Sequence, residues 1–367
     1  MTRKNKLENT IEQANPHTIK KFELIEKYTE TWAMKLLNHK KCNGIVFIDC
    51  MCNSGIYNDS QGNRIVGTPI RISKLLNDIM QRFPNKHAHL YFNDLSEEKI
   101  STLQKYLPEC SPNFQISTNA IDGNELLRRI KIKDSYNYLL VYDPYVATIN
   151  WEALKPYINS WGEVILNHMV SDIVRGLPQA KRPNVISKYQ DTYKSSLNEL
   201  IGYNGNIKDL EQKIRTIVLD LRNTPEKEYF ISSFPFFNSV NTLVYNLIHC
   251  SGNIHGFELF KKTAWKTFEG QSSMKNSFDG GRPLQLDLLS ETDNVIMPCD
   301  EFCYSIQDIA QFIYDEFKGK SDVPFDVVFD KLKTHPIFPS EGFRPEIKAH
   351  LKSAYKVVIT RNSMTFR

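Results

Sequence analysis

Four aspartates stand at, or just beyond, the ends of short apolar runs, and this pattern could build a ligand site. The runs are GIVFIDC (44–50), AHLYFND (88–94), FQISTNA (114–120) and YNYLLVYDP (136–144), and the acids are Asp49, Asp94, Asp122 and Asp143. In open α/β sheets, ligands bind where parallel strands end. A single aspartate in such a place is more often a turn residue or a helix cap. The four together predict a site at the carboxyl edge of a sheet.

The chemistry of these acids suits S-adenosylmethionine. The carboxylate of Asp94 could accept hydrogen bonds from both ribose hydroxyls, and Asp122 could accept one from the adenine amine. Asp49 would orient the turn that follows it or accept from the methionine amine. The sequence therefore predicts S-adenosylmethionine as the cofactor.

The turn after the first run, Asn53-Ser54-Gly55, would lie under the sulfonium and amino groups of this cofactor. Gly55 carries no Cβ, so it allows close approach of the backbone. Asparagine is the residue other than glycine that best tolerates a positive φ, so we expect Asn53 to keep the bend. The turn lacks both G-x-G-x-x-G and G-x-x-x-x-G-K-[ST], which disfavours a phosphate-binding loop.

Asp143, Pro144 and Tyr145 predict a catalytic loop for methylation of an exocyclic amine. The lone pair of such an amine is delocalised into the ring, and acceptors around the nitrogen draw it towards tetrahedral geometry. Asp143 and a following backbone carbonyl are such acceptors, while Pro144 removes a donor and fixes φ. Tyr145 could stack on a target base, which is worth roughly 1–3 kcal/mol. The alternative is a strand that simply ends in a D-P turn.

The elements that must position these residues alternate between strand and helix. The segment from His17 to Leu37 has apolar residues at three- and four-residue steps, which predicts an amphipathic helix, and further helices follow near Pro69 and Ser96. Repeated β-α-β units predict a parallel doubly wound sheet. Two late β-rich runs, 228–236 and 242–250, predict an antiparallel hairpin. We therefore predict an α/β fold: a Rossmann-like class I methyltransferase sheet with a terminal antiparallel hairpin.

The chain divides into three predicted parts. Residues 1–269 form the methyltransferase-like domain, with a charged helical insertion at about 168–227 that could act as a lid. Residues 270–298 form a linker or loop. Residues 299–367 form a module of three short helices and a terminal hairpin, which is the order found in winged helices.

Basic residues in two places could bind phosphates. Residues 318–367 hold ten Lys/Arg against five Asp/Glu, and the candidate phosphate ligands there are Lys348, Lys352, Lys356 and Arg361. Arg175, after the fifth strand, could reach a phosphate or cap a helix. The alternative for the C-terminal module is a charged face on an accessory domain that contacts proteins.

The bulk composition limits the function classes. The net charge of +4 is small, so a nucleic-acid surface must come from local clustering. No apolar run approaches the roughly 20 residues needed to span a bilayer, and the start lacks a secretory signal, so we expect a cytoplasmic protein without membrane contact. The seven cysteines show no zinc-knuckle spacing, and no metal site is predicted.

With these motifs in place, the sequence resembles the three-Cys-motif partner (TcmP) family over most of its length. The resembling segments are HTIKKFELIEKYTETW, GIVFIDCMCNSGIYNDSQGNRIVGTPI, YLLVYDPYVATINWEAL and VYNLIHCSGNIHGFELFKKTAWK. The resemblance implies a methyltransferase-like fold and a radical-SAM-like partner protein with three cysteines. The turn departs from the family at Asn53, where a glycine is usual, and the loop departs at Val146, also a usual glycine.

The opening is similar, more distantly, to ribosomal-RNA adenine-N6 methyltransferases, which place a His and a Lys on a first helix. This similarity implies that His17 and Lys21, one helical turn apart, face the cofactor pocket.

Three hypotheses about function remain at this stage. The first is an S-adenosylmethionine-dependent methyltransferase acting on an exocyclic amine of RNA or DNA, with adenine N6 favoured. The second is a non-catalytic partner protein that keeps the fold and binds a radical-SAM-like protein. The third is a methyltransferase for a small molecule or a protein.

Overall fold

The structure is a computed structural model that describes residues 11–202, 207–274 and 303–367. The strands, numbered in chain order, are Glu12–Gln13 (β1), Gly44–Asp49 (β2), Ile56–Asn58 (β3), Arg64–Val66 (β4), His87–Asn93 (β5), Phe114–Asn119 (β6), Tyr136–Tyr142 (β7), Gly162–His168 (β8), Phe230–Phe237 (β9), Leu243–Ser251 (β10), Val323–Pro324 (β11), Val358–Ile359 (β12) and Ser363–Thr365 (β13).

The α-helices lie between these strands and are numbered in the same way. They are Pro16–Leu37 (α1), Thr68–Met80 (α2), Glu97–Gln104 (α3), Gly123–Arg129 (α4), Trp151–Ile158 (α5), Val170–Gly176 (α6), Pro183–Tyr193 (α7), Leu197–Gly202 (α8), Ile207–Asp220 (α9), Ile254–Thr267 (α10), Ile306–Phe317 (α11), Phe325–Lys333 (α12) and Arg344–Ala354 (α13). None of the helices in the described ranges is both long and apolar enough to cross a bilayer.

A seven-stranded sheet in the order β6-β5-β2-β7-β8-β10-β9 forms the centre of the protein. β2 pairs in parallel with β5 and β7, and the parallel pairing continues to β6 on one side and β8 on the other. β10 is antiparallel to both β8 and β9. The predicted sheet is confirmed: this is a Rossmann-like, mostly parallel α/β sheet that ends in an antiparallel hairpin.

Helices cover both faces of the sheet, and alternate residues of each central strand face opposite sides. Ile45 and Phe47 of β2 pack into the core that contains α1, α2 and α10. Val46 and Ile48 pack into the core that contains α4, α5 and the insertion. Burial on both faces explains why the central strands are nearly continuous apolar runs.

A small sheet that the sequence did not predict lies just after the turn that follows β2. β3 and β4 form an antiparallel hairpin, and β1 pairs in parallel with β3. Ala14, Phe22 and Tyr57 form a separate apolar cluster beneath it. This sheet ties the segment that precedes α1 to the chain next to the predicted cofactor turn.

The predicted helical insertion is present between β8 and β9. It contains α6, α7, α8 and α9, with residues 203–206 outside the described ranges. Tyr189 and Tyr193 of α7 are buried against the sheet in the same core as α4 and α5. The insertion is therefore packed on one face of the sheet.

The C-terminal module contains the three helices and the terminal hairpin that the sequence indicates. β11 pairs with β13, and β13 pairs with β12, both antiparallel. Its assignment to the winged-helix class stays a prediction. Of the predicted linker 270–298, residues 275–298 lie outside the described ranges.

A buried lysine joins this module to the sheet domain. Lys261 of α10 is fully buried and also contacts the carboxylate of Glu258. Its ammonium lies 2.8–3.0 Å from four backbone carbonyl oxygens, those of Leu332, Lys333, His335 and Phe338. Burial lowers the pKa of Lys261 to about 8, and Glu258 opposes this shift. The positive charge meets the C-terminus of α12, where carbonyl groups lack helical partners.

We expect Lys261→Met to lower the free energy of unfolding by roughly 3 kcal/mol, because it leaves buried carbonyl groups without a donor. The measurement is urea unfolding followed by circular dichroism. Lys262→Met is the matched control, since Lys262 makes only a surface ion pair with Glu341 at 3.1 Å and should change stability by less than about 1 kcal/mol. Equal effects of the two substitutions would contradict the role of Lys261.

Candidate active site

Three of the four predicted aspartates meet at the carboxyl edge of adjacent strands. Asp49 is the last residue of β2, Asp94 follows β5 and Asp143 follows β7. β2 lies between β5 and β7, and all three strands run parallel, so their ends lie side by side. Asp49 and Asp94 are buried, with exposed fractions of 4% and 6%. The arrangement concentrates carboxyl groups at one edge of the sheet.

The carboxyl group of Asp49 has a raised pKa. Burial is the largest cause, and together with the nearby charges of Asp143 and Asp94 it raises this pKa to about 8. The N–H of Met51 and the ammonium of Lys21 act in the opposite direction. Asp49 therefore retains its proton at neutral pH in the described structure.

Asp143 is held between two donors. Lys21 of α1 forms an ion pair with Oδ2, and the side-chain amide of Asn167 donates to Oδ1. The Lys21 ammonium also lies 5.2 Å from the ring centroid of Tyr245. Lys21 thus reaches the predicted site, as the resemblance implied. Asn167, the penultimate residue of β8, was missed, although it too stands near a strand end.

His17 lies one turn before Lys21 on the same helix and is buried. Its carbonyl oxygen accepts a hydrogen bond of 3.1 Å from the Tyr245 hydroxyl. Burial and the charge of Lys21 lower the pKa of its ring. Among the described residues, its Nδ1 atom has no hydrogen-bond partner.

The turn after β2 adopts the left-handed conformations expected of it. Asn53 has φ +59° and Gly55 has φ +69°. The N–H of Asn53 donates to Asp94 Oδ2 at 3.1 Å, and its own Oδ1 accepts from the N–H of Ser54 at 2.6 Å. A Cβ on Gly55 would lie 2.9 Å from Leu103. The turn is therefore packed closely and tied to the end of β5.

Tyr145 lies across this turn. Its hydroxyl accepts from Asn53 Nδ2 at 3.0 Å and lies 3.4 Å from Asp94 Oδ2. The Lys99 ammonium is 5.2 Å from its ring centroid. Leu95 and Val146 are exposed beside it, Leu95 to 77%. Exposed apolar side chains therefore adjoin both Asp94 and Tyr145 in the chain.

Asp122 follows β6 and is exposed. Its Oδ1 accepts hydrogen bonds of 3.0 Å from the N–H groups of Asn124 and Glu125, which makes it the N-cap of α4. This is the capping arrangement that is common for an aspartate at such a position. Both bonds use Oδ1.

The insertion holds the loop that follows Asp143. Asp172 Oδ2 accepts from the N–H of Ala147 at 2.9 Å, and Thr192 Oγ1 accepts from the N–H of Ile149 at 3.0 Å. The Trp151 indole N–H donates to the carbonyl of Thr192 at 2.7 Å. No sequence pattern predicts these contacts, because Asp172 and Thr192 lie 25 and 43 residues after their partners in the loop.

The predicted phosphate ligands lie in two places. Arg175 is exposed on α6, and its Nε donates to the carbonyl of Ser171 at 3.2 Å. Lys352 and Arg361 are exposed in the C-terminal module.

The other two predicted ligands of the C-terminal module make internal contacts. The Lys348 ammonium lies 3.4 Å from the Phe325 ring centroid, and burial together with Arg344 lowers its pKa. Lys356, at φ +55°, donates from Nζ to the carbonyl of Ser353 at 3.0 Å.

Comparison with known proteins finds no matching family model and no matching curated protein. A Legionella pneumophila protein of family DUF519 is 14% identical, with a TM-score of 0.40 over 67% of this chain and 90% of that chain. The fibrillarin/Nop5p complex gives 13% identity and a TM-score of 0.29, covering 62% and 82%. A geranyl diphosphate C-methyltransferase from Streptomyces coelicolor A3(2) gives 10% and 0.25, covering 62% and 79%. The TcmP resemblance therefore stays a prediction.

We expect Asp49→Asn to become stabilising relative to the wild type as the pH rises. The folded state retains a proton up to pH about 8, whereas an unfolded aspartate loses it near pH 4. Wild-type stability should therefore fall between these values, by up to about 1.4 kcal/mol per pH unit. The melting temperature of the variant relative to that of the wild type should therefore rise steadily from pH 5 to pH 8. The measurement is a set of thermal melts from pH 5 to pH 8.

Asp78→Asn is the control, because Asp78 is an exposed aspartate on α2. A difference between Asp49→Asn and the wild type that does not grow with pH would contradict a buried, protonated Asp49.

Proposed function

We propose that this protein is an S-adenosylmethionine-dependent methyltransferase that acts on an exocyclic amine of a nucleic-acid base, with adenine N6 the favoured target. The observation that carries the proposal is the meeting of Asp49, Asp94 and Asp143 at one edge of a methyltransferase-type sheet. The left-handed turn at Asn53 and Gly55 lies beside them.

The charges around the site fit this cofactor. S-adenosylmethionine carries a sulfonium, an ammonium and one carboxylate, and so has a net positive charge. The site contains three carboxyl groups, those of Asp49, Asp94 and Asp143. The cation that acts on them is Lys21, which forms an ion pair with Asp143 and lowers the pKa of Asp49. A cationic ligand would stabilise the ionised form of Asp49, since an opposite charge nearby favours ionisation.

Polar and apolar groups of the site would contact different parts of the cofactor. Asp94 would accept from the ribose hydroxyls, and the exposed Leu95 next to it offers an apolar face for adenine. Asp122 has Oδ2 available for the adenine amine, since its capping bonds use Oδ1. Lys21 would bind the carboxylate of the cofactor. Among the described residues, the buried Nδ1 atom of His17 has no hydrogen-bond partner, and the same carboxylate would supply one.

In the reaction, S-adenosylmethionine supplies an electrophilic methyl group, which leaves its sulfur as the nitrogen–carbon bond forms. Asp143 accepts an N–H of the target amine and takes the proton released. Asn167 holds Asp143 Oδ1, so that Oδ2 becomes the acceptor once Lys21 moves away. Pro144 has no backbone N–H, so it places no competing hydrogen-bond donor next to the target amine.

One observation favours the second hypothesis, a non-catalytic partner of a radical-SAM-like protein. Tyr145 and Asn53 bond to each other and to Asp94, so side chains of the protein occupy groups that the cofactor would use. In a partner protein this closed arrangement would be permanent. In an enzyme it would open when the cofactor binds.

Calorimetric titration with S-adenosylmethionine and S-adenosylhomocysteine separates these hypotheses. We expect micromolar binding to the wild type and about 100-fold weaker binding to Asp94→Asn, because two hydrogen bonds to a charged acceptor are lost or weakened. Asp78→Asn, which changes an exposed aspartate in the last turn of α2, should bind like the wild type. No heat of binding to the wild type at millimolar ligand would overturn the enzyme proposal in favour of the partner protein.

We expect Asp143→Asn to bind the cofactor but to transfer methyl groups at least about 100-fold more slowly, because the acceptor for the amine proton is lost. The measurement is incorporation of tritiated methyl into single-stranded RNA and DNA. An undiminished rate in this variant would remove Asp143 from the reaction.

A further inference from the structure

A strip of exposed basic residues covers part of the insertion. The strip consists of Arg175, Lys181, Arg182, Lys188 and Lys194, all of which are exposed. Between residues 175 and 194, Asp191 is the one acid. Within the described ranges, none of these five cations forms an ion pair. A strip of unpaired like charges, here from α6 to the residue after α7, favours binding of a polyanion.

Two of these lysines line a cleft beside the catalytic loop. This cleft, called here the α7 cleft, has a volume of about 500 Å³, within the range of pockets for small ligands. Lys188 of α7 and Lys194, the residue after α7, line the cleft together with Asn124, Tyr142 and Asn150. Cations thus stand next to groups that can bond to or contact a nucleobase.

Acidic residues also line the α7 cleft, namely Asp122, Glu152 and Asp191. Asp122 is assigned above to the cofactor. Carboxylates accept hydrogen bonds from base amino groups, so Glu152 and Asp191 within the cleft are compatible with a base. A phosphate would instead lie near the lysines at the rim. An acidic peptide has no planar base to fill the recess, which makes a nucleic acid the better match.

The α7 cleft is physically joined to the catalytic loop. Thr192 of α7 accepts from the N–H of Ile149 and donates to the carbonyl of Ala147 at 3.2 Å. Tyr189 of α7 donates to Asp172 at 3.1 Å, and the same carboxylate holds Ala147. A strand bound along α7, which is about 16 Å long, therefore lies next to the segment that follows Asp143.

We infer that the α7 cleft binds a nucleotide that flanks the methylated base, with its phosphate on Lys188 and Lys194. The strand continues over Arg182 and Lys181 towards the N-terminus of α7. The placement next to the target base rests on the proposed function. Binding itself does not, because it requires neither the cofactor nor catalysis. Single-stranded RNA and DNA share the phosphodiester chemistry, and the experiment tests both.

The test measures fluorescence anisotropy of a labelled 16-nucleotide single strand, as RNA and as DNA, from 50 to 300 mM KCl without cofactor. We expect Lys188→Gln/Lys194→Gln to bind about tenfold more weakly and to reduce the slope of log K against log salt by about 1.4, since single strands give about 0.7 per phosphate contact. Lys131→Gln/Lys155→Gln is the matched control, with the same charge change at exposed lysines outside the cleft. It should leave both quantities close to the wild type.

Equal weakening by the two double variants, or no binding of either strand, would overturn the inference. Competition by polyglutamate as strong as by the unlabelled strand would also overturn it, in favour of an acidic protein partner. Calorimetry with S-adenosylmethionine on the same variants separates this inference from the proposed function. Normal cofactor binding without lysine-dependent strand binding rejects the cleft alone. Lysine-dependent strand binding without cofactor binding rejects the methyltransferase alone.

Discussion

The ion pair between Lys21 and Asp143 is the contact on which the site depends, because it joins the first helix to the end of a central strand 122 residues later. The carboxyl groups of Asp49, Asp94 and Asp143 lie at one sheet edge. Among the charged groups that shift the pKa of Asp49, Lys21 is the cation. Like charges in a buried place raise one another's pKa. The ammonium of Lys21 opposes this effect at Asp49, whose pKa is raised mainly by burial.

A second buried contact fixes the register of the helix that carries Lys21. Tyr28, two turns further along α1, donates to Glu163 of β8, and His249 of β10 lies 2.8 Å from the same carboxylate. A Cβ on Gly256 would lie 2.2 Å from Glu163, so this position has no space for a side chain. Residues seven apart share one face of a helix. Anchoring Tyr28 thus also directs Lys21 towards the strand ends.

The sequence predicts those features of the site that are encoded locally. The apolar runs identify the central strands, and each aspartate is found next to its run, so the meeting of Asp49, Asp94 and Asp143 follows from parallel pairing. Asn53 takes the positive φ expected of it. Asn167, Asp172 and Thr192 could not be identified, because their roles arise from contacts with residues 24 to 43 positions away. No spacing rule connects such pairs before the fold is known.

Internal contacts in the site set how tightly any ligand can bind. Lys21 occupies Asp143, and the Tyr145 hydroxyl lies beside Asp94, so substrate and cofactor would each replace a contact that the protein already makes. The net gain is then the difference between the new and the old hydrogen bonds, which is smaller than either alone. The loop that carries Tyr145 is in turn held by Asp172 and by Thr192 of α7. Displacing Tyr145 would therefore act on a loop that the insertion holds through these hydrogen bonds.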